Sequence, residues 1–88
     1  MIHVTVVSPE RSVFEGEAES IVAPAQDGLV GILSGHAPFV TLLGDGVLRV
    51  RTDSMTYAFG VRGGFLQVIR NTVRVVTEHA RPLAAGEG

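Results

Sequence analysis

Cysteine, lysine and tryptophan are all missing from these 88 residues, and aromatic side chains make up only 6% of them. Without cysteine the fold cannot lean on disulfides or on thiolate metal ligands. One tyrosine and four phenylalanines are too few for a platform on which single-stranded nucleic acid stacks. A formal net charge of −2 removes the basic footprint that nucleic-acid binding needs. No apolar run reaches the roughly 18 residues that a membrane-spanning helix takes, and no charged-then-apolar leader opens the chain. Charge is scarce at 18%, but a hydrophobic content of 45% argues for a packed core rather than disorder. The length suits one domain with a modest core.

With lysine absent, every cation is an arginine, and the charges segregate along the chain. Residues 1–27 carry Glu10, Glu15, Glu17, Glu19 and Asp27 against Arg11 alone. Residues 49–74 carry Arg49, Arg51, Arg62, Arg70 and Arg74 against Asp53 alone. This pattern fits cross-strand pairing within a sheet, or a polar face whose arginine forks reach a partner's carboxylates.

The stretch Asp27-Gly28-Leu29-Val30-Gly31-Ile32-Leu33-Ser34-Gly35-His36-Ala37-Pro38 organises the chain. Asp27-Gly28 and Ser34-Gly35 are turn signals on either side of a short apolar strand. Pro38 holds Ala37 extended. Before this stretch, Ile2, Val4 and Val6 alternate with His3, Thr5 and Val7 as in a half-buried strand. Ser8-Pro9-Glu10-Arg11 is a turn. A short extended piece from Ser12 then carries Phe14 inward and turns at Glu15-Gly16. The next strand runs from Ala18 to Ala23 and is stopped by Pro24.

After it, Phe39 to Leu43 is strand-prone and Gly44-Asp45-Gly46 signals a hairpin. Val47 to Thr52 puts Leu48 and Val50 on one face, with Arg49 and Arg51 on the other. Met55 to Val61 follows, with Tyr57 and Phe59 sharing a face, and Gly63-Gly64 is a bulge or sharp bend. Phe65 to Ile69, a turn at Arg70-Asn71-Thr72, and Val73 to Glu78 complete the strands. Leu48, Val50, Phe65 and Val68 are expected in the core, and Phe14, Phe39 and Phe59 beside them. From His79 the sequence loses its apolar period and reads as a tail. The fold class is all-β, a flattened antiparallel sandwich or barrel of about ten short strands. The sandwich occupies residues 1–80, and residues 81–88 form a flexible tail.

Little in the chain points to chemistry. His3, His36 and His79 lack the close spacing common in metal motifs, and no Gly-x-Ser-x-Gly elbow surrounds Ser34. Gly28, Gly31 and Gly35 are not followed by the Lys-Ser/Thr pair of a phosphate loop. Glu15, Glu17 and Glu19 read as a solvated face. The residues alone describe a non-enzymatic module that works through contact surfaces. The rival readings are a small ligand- or carbohydrate-binding sandwich, and a metal enzyme of cupin type.

At Gly31-Ile32-Leu33-Ser34-Gly35-His36-Ala37-Pro38 the sequence resembles the epsilon subunit of bacterial and chloroplast F-type ATP synthases, whose signature here is Gly-hydrophobic-x-x-Gly-His-Ala-Pro. Ordered matches accompany it. They are Val6-Val7-Ser8-Pro9-Glu10 with Phe14-Glu15-Gly16, then Gly46-Val47-Leu48-Arg49-Val50, then Val61-Arg62-Gly63-Gly64-Phe65-Leu66-Gln67-Val68. Asn71-Thr72-Val73 to Thr77-Glu78 closes the series, and the resemblance covers residues 2 to about 80.

The resemblance implies a non-catalytic rotor subunit of the central stalk, without cofactor or metal, in a proton- or sodium-translocating complex. Its partners would be the gamma subunit and the polar loops of the c-ring. Ser8 and His36 would lie toward gamma, and Gln26, Asp27, Gly28, Leu29 and Val30 toward the c-ring. Leu29 departs from the family pattern, in which a carboxylate is frequent at that place. The implied location is the cytoplasmic face of a bacterial membrane, held there through the complex. Family members usually continue into two C-terminal helices. This sequence stops at Gly88, so the expectation is a subunit that couples without inhibiting and has no nucleotide site.

Overall fold

Period-2 alternation is the strongest local signal in the chain, and it builds the whole architecture. The computed structural model describes residues 1–83. Ten strands follow in order: β1 (Ile2–Val7), β2 (Ser12–Ala18), β3 (Ser20–Ala25), β4 (Gly28–Leu33), β5 (Phe39–Leu42), β6 (Gly46–Arg51), β7 (Thr56–Arg62), β8 (Phe65–Ile69), β9 (Thr72–Val76) and β10 (His79–Pro82). They form two five-stranded sheets, ordered β2-β1-β9-β8-β5 and β10-β7-β6-β3-β4. Every neighbour pair is antiparallel except β1 with β9. The expected all-β sandwich of about ten strands is what forms.

Each strand turns alternate side chains between the sheets. Ile2, Val4 and Val6 meet Val73 and Val75 from β9, Leu66 and Val68 from β8, and Leu48 and Val50 from β6, all at most 1% exposed. Phe59 closes the core at one side, with the Phe14 ring 6.1 Å away and edge-on. Phe14 also meets Tyr57 at 5.2 Å, so Tyr57 and Phe59 do share the inward face. Phe65, expected in the core, is 38% exposed. Strand geometry explains this: residues three apart face opposite sides, so Phe65 and Val68 cannot both point inward, and Leu66 takes the buried place.

Four other expectations are corrected. β2 runs through Glu15-Gly16 without a turn, since Gly16 pairs with Val4, and the chain bends at Glu19 instead. Pro24 does not stop β3. Its carbonyl accepts from Gly44 N–H on the side away from β4, where β6 no longer pairs, so its missing N–H costs no ladder bond. Gly44-Asp45-Gly46 makes no hairpin, because β5 belongs to one sheet and β6 to the other. Leu43, only 2% exposed, dips between the sheets, and its N–H bonds to the Gly64 carbonyl at 2.9 Å. Finally, residues 79–82, expected to begin a tail, form a strand: His79–Pro82 pairs with β7, carrying Ala80 inward. The expected boundary at residue 80 thus falls inside β10, and the expected tail lies outside the described residues from 84 onward.

Gly63-Gly64 is the sharp bend foreseen, and it carries the chain from one sheet to the other between β7 and β8. Gly64 has φ +99°, and a Cβ there would lie 1.9 Å from the Val76 carbonyl oxygen. Thr77, 2% exposed, braces this crossing. Its hydroxyl lies 3.0 Å from the Arg62 carbonyl, 2.9 Å from that of Gly63 and 3.1 Å from that of His79.

Candidate functional site

The residues singled out in the sequence fall on the two ends of the strands. Hydrogen bonding fixes which is which. His3 N–H bonds to the Asn71 carbonyl, so the start of β1 and the β8–β9 turn share one end. Val7 is level with Val76, and Leu42 with Phe65, so the Ser8 turn and the close of β5 share the other.

At the first end stands His36, half-buried. Its N–H closes the Ser34-Gly35 turn on the Leu33 carbonyl at 3.1 Å. Its Nδ1 lies 2.7 Å from the Ala37 carbonyl and so donates to it, which sets the tautomer. The ring meets Phe39 edge-on at 5.6 Å. The loop is pinned from outside by Asn71, whose Oδ1 accepts from Gly35 N–H at 2.7 Å. Asn71 is not among the residues that the sequence singles out. Its signal is the turn itself: Arg70 and Asn71 have φ of 50° and 59°, which a two-residue hairpin turn requires and asparagine tolerates.

At the second end, Ser8 and Arg11 exchange backbone bonds of 2.9 and 3.2 Å across their turn. The Ser8 hydroxyl lies 3.3 Å from both the Glu10 carboxylate and the Arg11 carbonyl. The β3–β4 tip is at this end too, tied to β5 by Gln26 N–H on the Leu42 carbonyl at 3.2 Å. Gln26, Asp27, Gly28 and Leu29 are exposed there, Leu29 at 76%. Val30 turns inward and packs against the core. The structure therefore gathers Ser8 with the 26–30 tip and sets His36 apart from both, by roughly 16 Å along β1 alone.

Between Ser8 and His36 lies the outer face of the first sheet. Val40 and Leu42 on β5, and Phe65 and Ile69 on β8, are exposed there. Gln67, Ile69, Arg70, Thr72 and Arg74 line a shallow depression of about 320 Å³ beside them. Across the same face, on β1 and β2, His3 Nδ1 lies 2.8 Å from Glu17 and Nε2 lies 3.4 Å from Glu15. The Glu17 hydrogen bond, helped by Glu15, raises the His3 pKa above its ordinary 6.5. Glu19 instead pairs with Arg51 at 3.1 Å. Of the three glutamates read as a solvated face, two thus contact His3, and one pair, Glu19–Arg51, joins the acidic and basic stretches seen in the sequence. Among the described residues no three histidine, aspartate or glutamate side chains converge as metal ligands would.

Comparison with known proteins adds the context that these surfaces lack. Residues 1–83 match the family described as ATP synthase, Delta/Epsilon chain, beta-sandwich domain. The ATP synthase epsilon chain of Leptospira borgpetersenii serovar Hardjo-bovis is 44% identical over 78 residues, covering 89% of this chain and 61% of that one. That of Caulobacter vibrioides is 38% identical over 79 residues, covering 90% of this chain and 92% of that one. A chain in the cryo-EM structure of the Euglena gracilis mitochondrial ATP synthase, an OSCP/F1/c-ring assembly, superposes with a TM-score of 0.86 at 26% identity, over 92% of this chain and 52% of that one. The chain spans about three-fifths of the length of the Leptospira relative.

Proposed function

The chain belongs to the ATP synthase delta/epsilon chain β-sandwich family, and from that premise we propose that it is a non-catalytic central-stalk subunit linking gamma to the c-ring. The observation that carries this reading is the family match over residues 1–83, the same span that forms the two sheets. In this reading the c-ring contact is the β3–β4 tip, with Gln26, Asp27, Gly28 and Leu29 presented and Val30 anchoring the tip to the core. With Leu29 at its most exposed point, the tip offers an apolar contact flanked by Asp27. Ser8 and His36 mark opposite corners of the gamma-facing surface, the outer face of the first sheet. The subunit works as a rigid link, held to the cytoplasmic face of a bacterial membrane through the complex.

The test is capture from a membrane extract with the tagged chain. Recovery of gamma and of c-ring subunits together is the expected result, and Leu29→Asp should lower c-ring recovery while keeping gamma. Capture of neither from an extract that holds the intact complex would refute the reading.

A further inference from the structure

Arg70 and Arg74 are left over from the ion pairing of the first sheet. Both line the shallow hollow of about 320 Å³ with Gln67, Ile69 and Thr72. Among the described residues neither guanidinium makes an ion pair or a hydrogen bond. The carboxylates of the same face are already taken, since Glu15 and Glu17 both sit on His3, at 3.4 and 2.8 Å. Thr5 is level with Glu15 on one side and with Arg74 on the other. The intervening strand thus holds those two backbones about 10 Å apart, two strand spacings. At that separation solvent and salt screen most of the attraction.

The hollow is also rigid. Gln67 pairs with Arg74, and Ile69 with Thr72, across β8 and β9. Leu66, Val68, Val73 and Val75 of the same strands are buried beneath. Alternation therefore fixes Gln67, Ile69, Thr72 and Arg74 on one outward face. Arg70 closes the end of the hollow from the turn, at a φ of 50°. That turn is held from two sides. The Asn71 carbonyl accepts from His3 N–H at 2.8 Å, and Asn71 Oδ1 accepts from Gly35 N–H at 2.7 Å. A ligand here has little backbone left to order.

We infer that this hollow binds a phosphate group, carried by a small molecule or by a lipid headgroup. Arg70 and Arg74 supply charge and paired N–H donors, and the Thr72 hydroxyl and Gln67 amide supply neutral ones. Together they offer about six donors, whereas a carboxylate has about four lone-pair sites. A phosphate group, with its three strong acceptor oxygens and higher charge, uses more of them. A cation would meet two like charges and no carboxylate among the lining residues. The site is independent of the stalk reading, because it needs no other subunit.

The test is titration of the isotope-labelled chain with inorganic phosphate at neutral pH, followed by NMR. Amides of residues 67–74 and the Nε–H groups of Arg70 and Arg74 should shift and saturate, with a Kd on the order of 1 mM. Arg70→Gln and Arg74→Gln should each weaken binding by about tenfold. Arg62→Gln, at the end of β7 in the other sheet, removes the same charge and should leave it unchanged. Acetate at equal ionic strength should bind about tenfold more weakly. Thermal melts of the variants should match the wild type, since neither side chain makes a bond in the fold. Vesicles of phosphatidic acid in phosphatidylcholine distinguish the source. Saturation by the free ion supports the site and shows that a soluble phosphate suffices. Vesicle binding that is lost in Arg74→Gln, without response to the free ion, supports it as a headgroup site. No response to either probe, equal binding of acetate, or an affinity unaltered in both variants would overturn the site. None of these results would touch the capture of gamma and c-ring subunits, on which the stalk reading depends.

Discussion

Single side chains divide the molecule into those that hold it and those that it presents. Leu66 is fully buried, while its neighbour Phe65 is more than a third exposed. Leu66→Ala is therefore expected to cost about 2–5 kcal/mol, and Phe65→Ala about 1 kcal/mol or less. Urea unfolding of the two variants checks the face assignment. Thr77 is the buried polar side chain that braces a sheet crossing, so Thr77→Val should cost about 1–3 kcal/mol by stranding the carbonyls around it. His3 gives a pH-dependent contribution. Its pKa is raised in the fold, chiefly by the Glu17 hydrogen bond. The protonated form is thus favoured by folding. The contribution is fully present below the ordinary value of 6.5 and disappears as pH rises through the folded value. Melting curves of the wild type and His3→Gln should therefore differ at about pH 5.5 and converge at about pH 9. A difference that grows with pH would reverse the sign and refute the pairing.

Elements were legible where their signals are local and hidden where their partners are distant. The alternation of Ile2, Val4 and Val6, or of Leu48 and Val50 with Arg49 and Arg51, yields strands and faces directly. So does the Arg70-Asn71 turn. What local signals do not reveal is which sheet a strand joins. Gly44-Asp45-Gly46 has the composition of a hairpin turn, yet β5 and β6 pair with different neighbours. Pro24 has the chemistry of a strand terminator, yet its missing N–H faces a side with no ladder to break. β10 has no apolar period beyond Ala80, since a four-residue edge strand needs only one inward side chain. The candidate contact residues were legible as a loop and two turns. Their separation was not, because it depends on the parallel pairing of β1 with β9 across most of the chain. The crossing between β7 and β8 gives a test at this scale. Gly64→Ala must move the Val76 carbonyl and adopt an unfavourable φ, so it should cost about 3 kcal/mol or more. A melt within about a degree of wild type would show that the bend is not constrained.

At the scale of the whole molecule, the chain passes between the sheets five times, after β2, β4, β5, β7 and β9. Neither sheet can open alone, and the described residues measure 28 × 28 × 24 Å. Such a body can join two partners because its presented surfaces point different ways. The β3–β4 tip stands at one end of the strands and the His36 loop at the other. The absence of cysteine from these 88 residues makes this directly measurable, since a single introduced thiol has no native competitor within the chain. Asp27→Cys and His36→Cys variants, assembled into the complete synthase and treated with a short cross-linker, should join to a c-ring subunit and to gamma respectively. Cross-links in the exchanged order, or none from either position in a fully assembled complex, would contradict the stalk assignment.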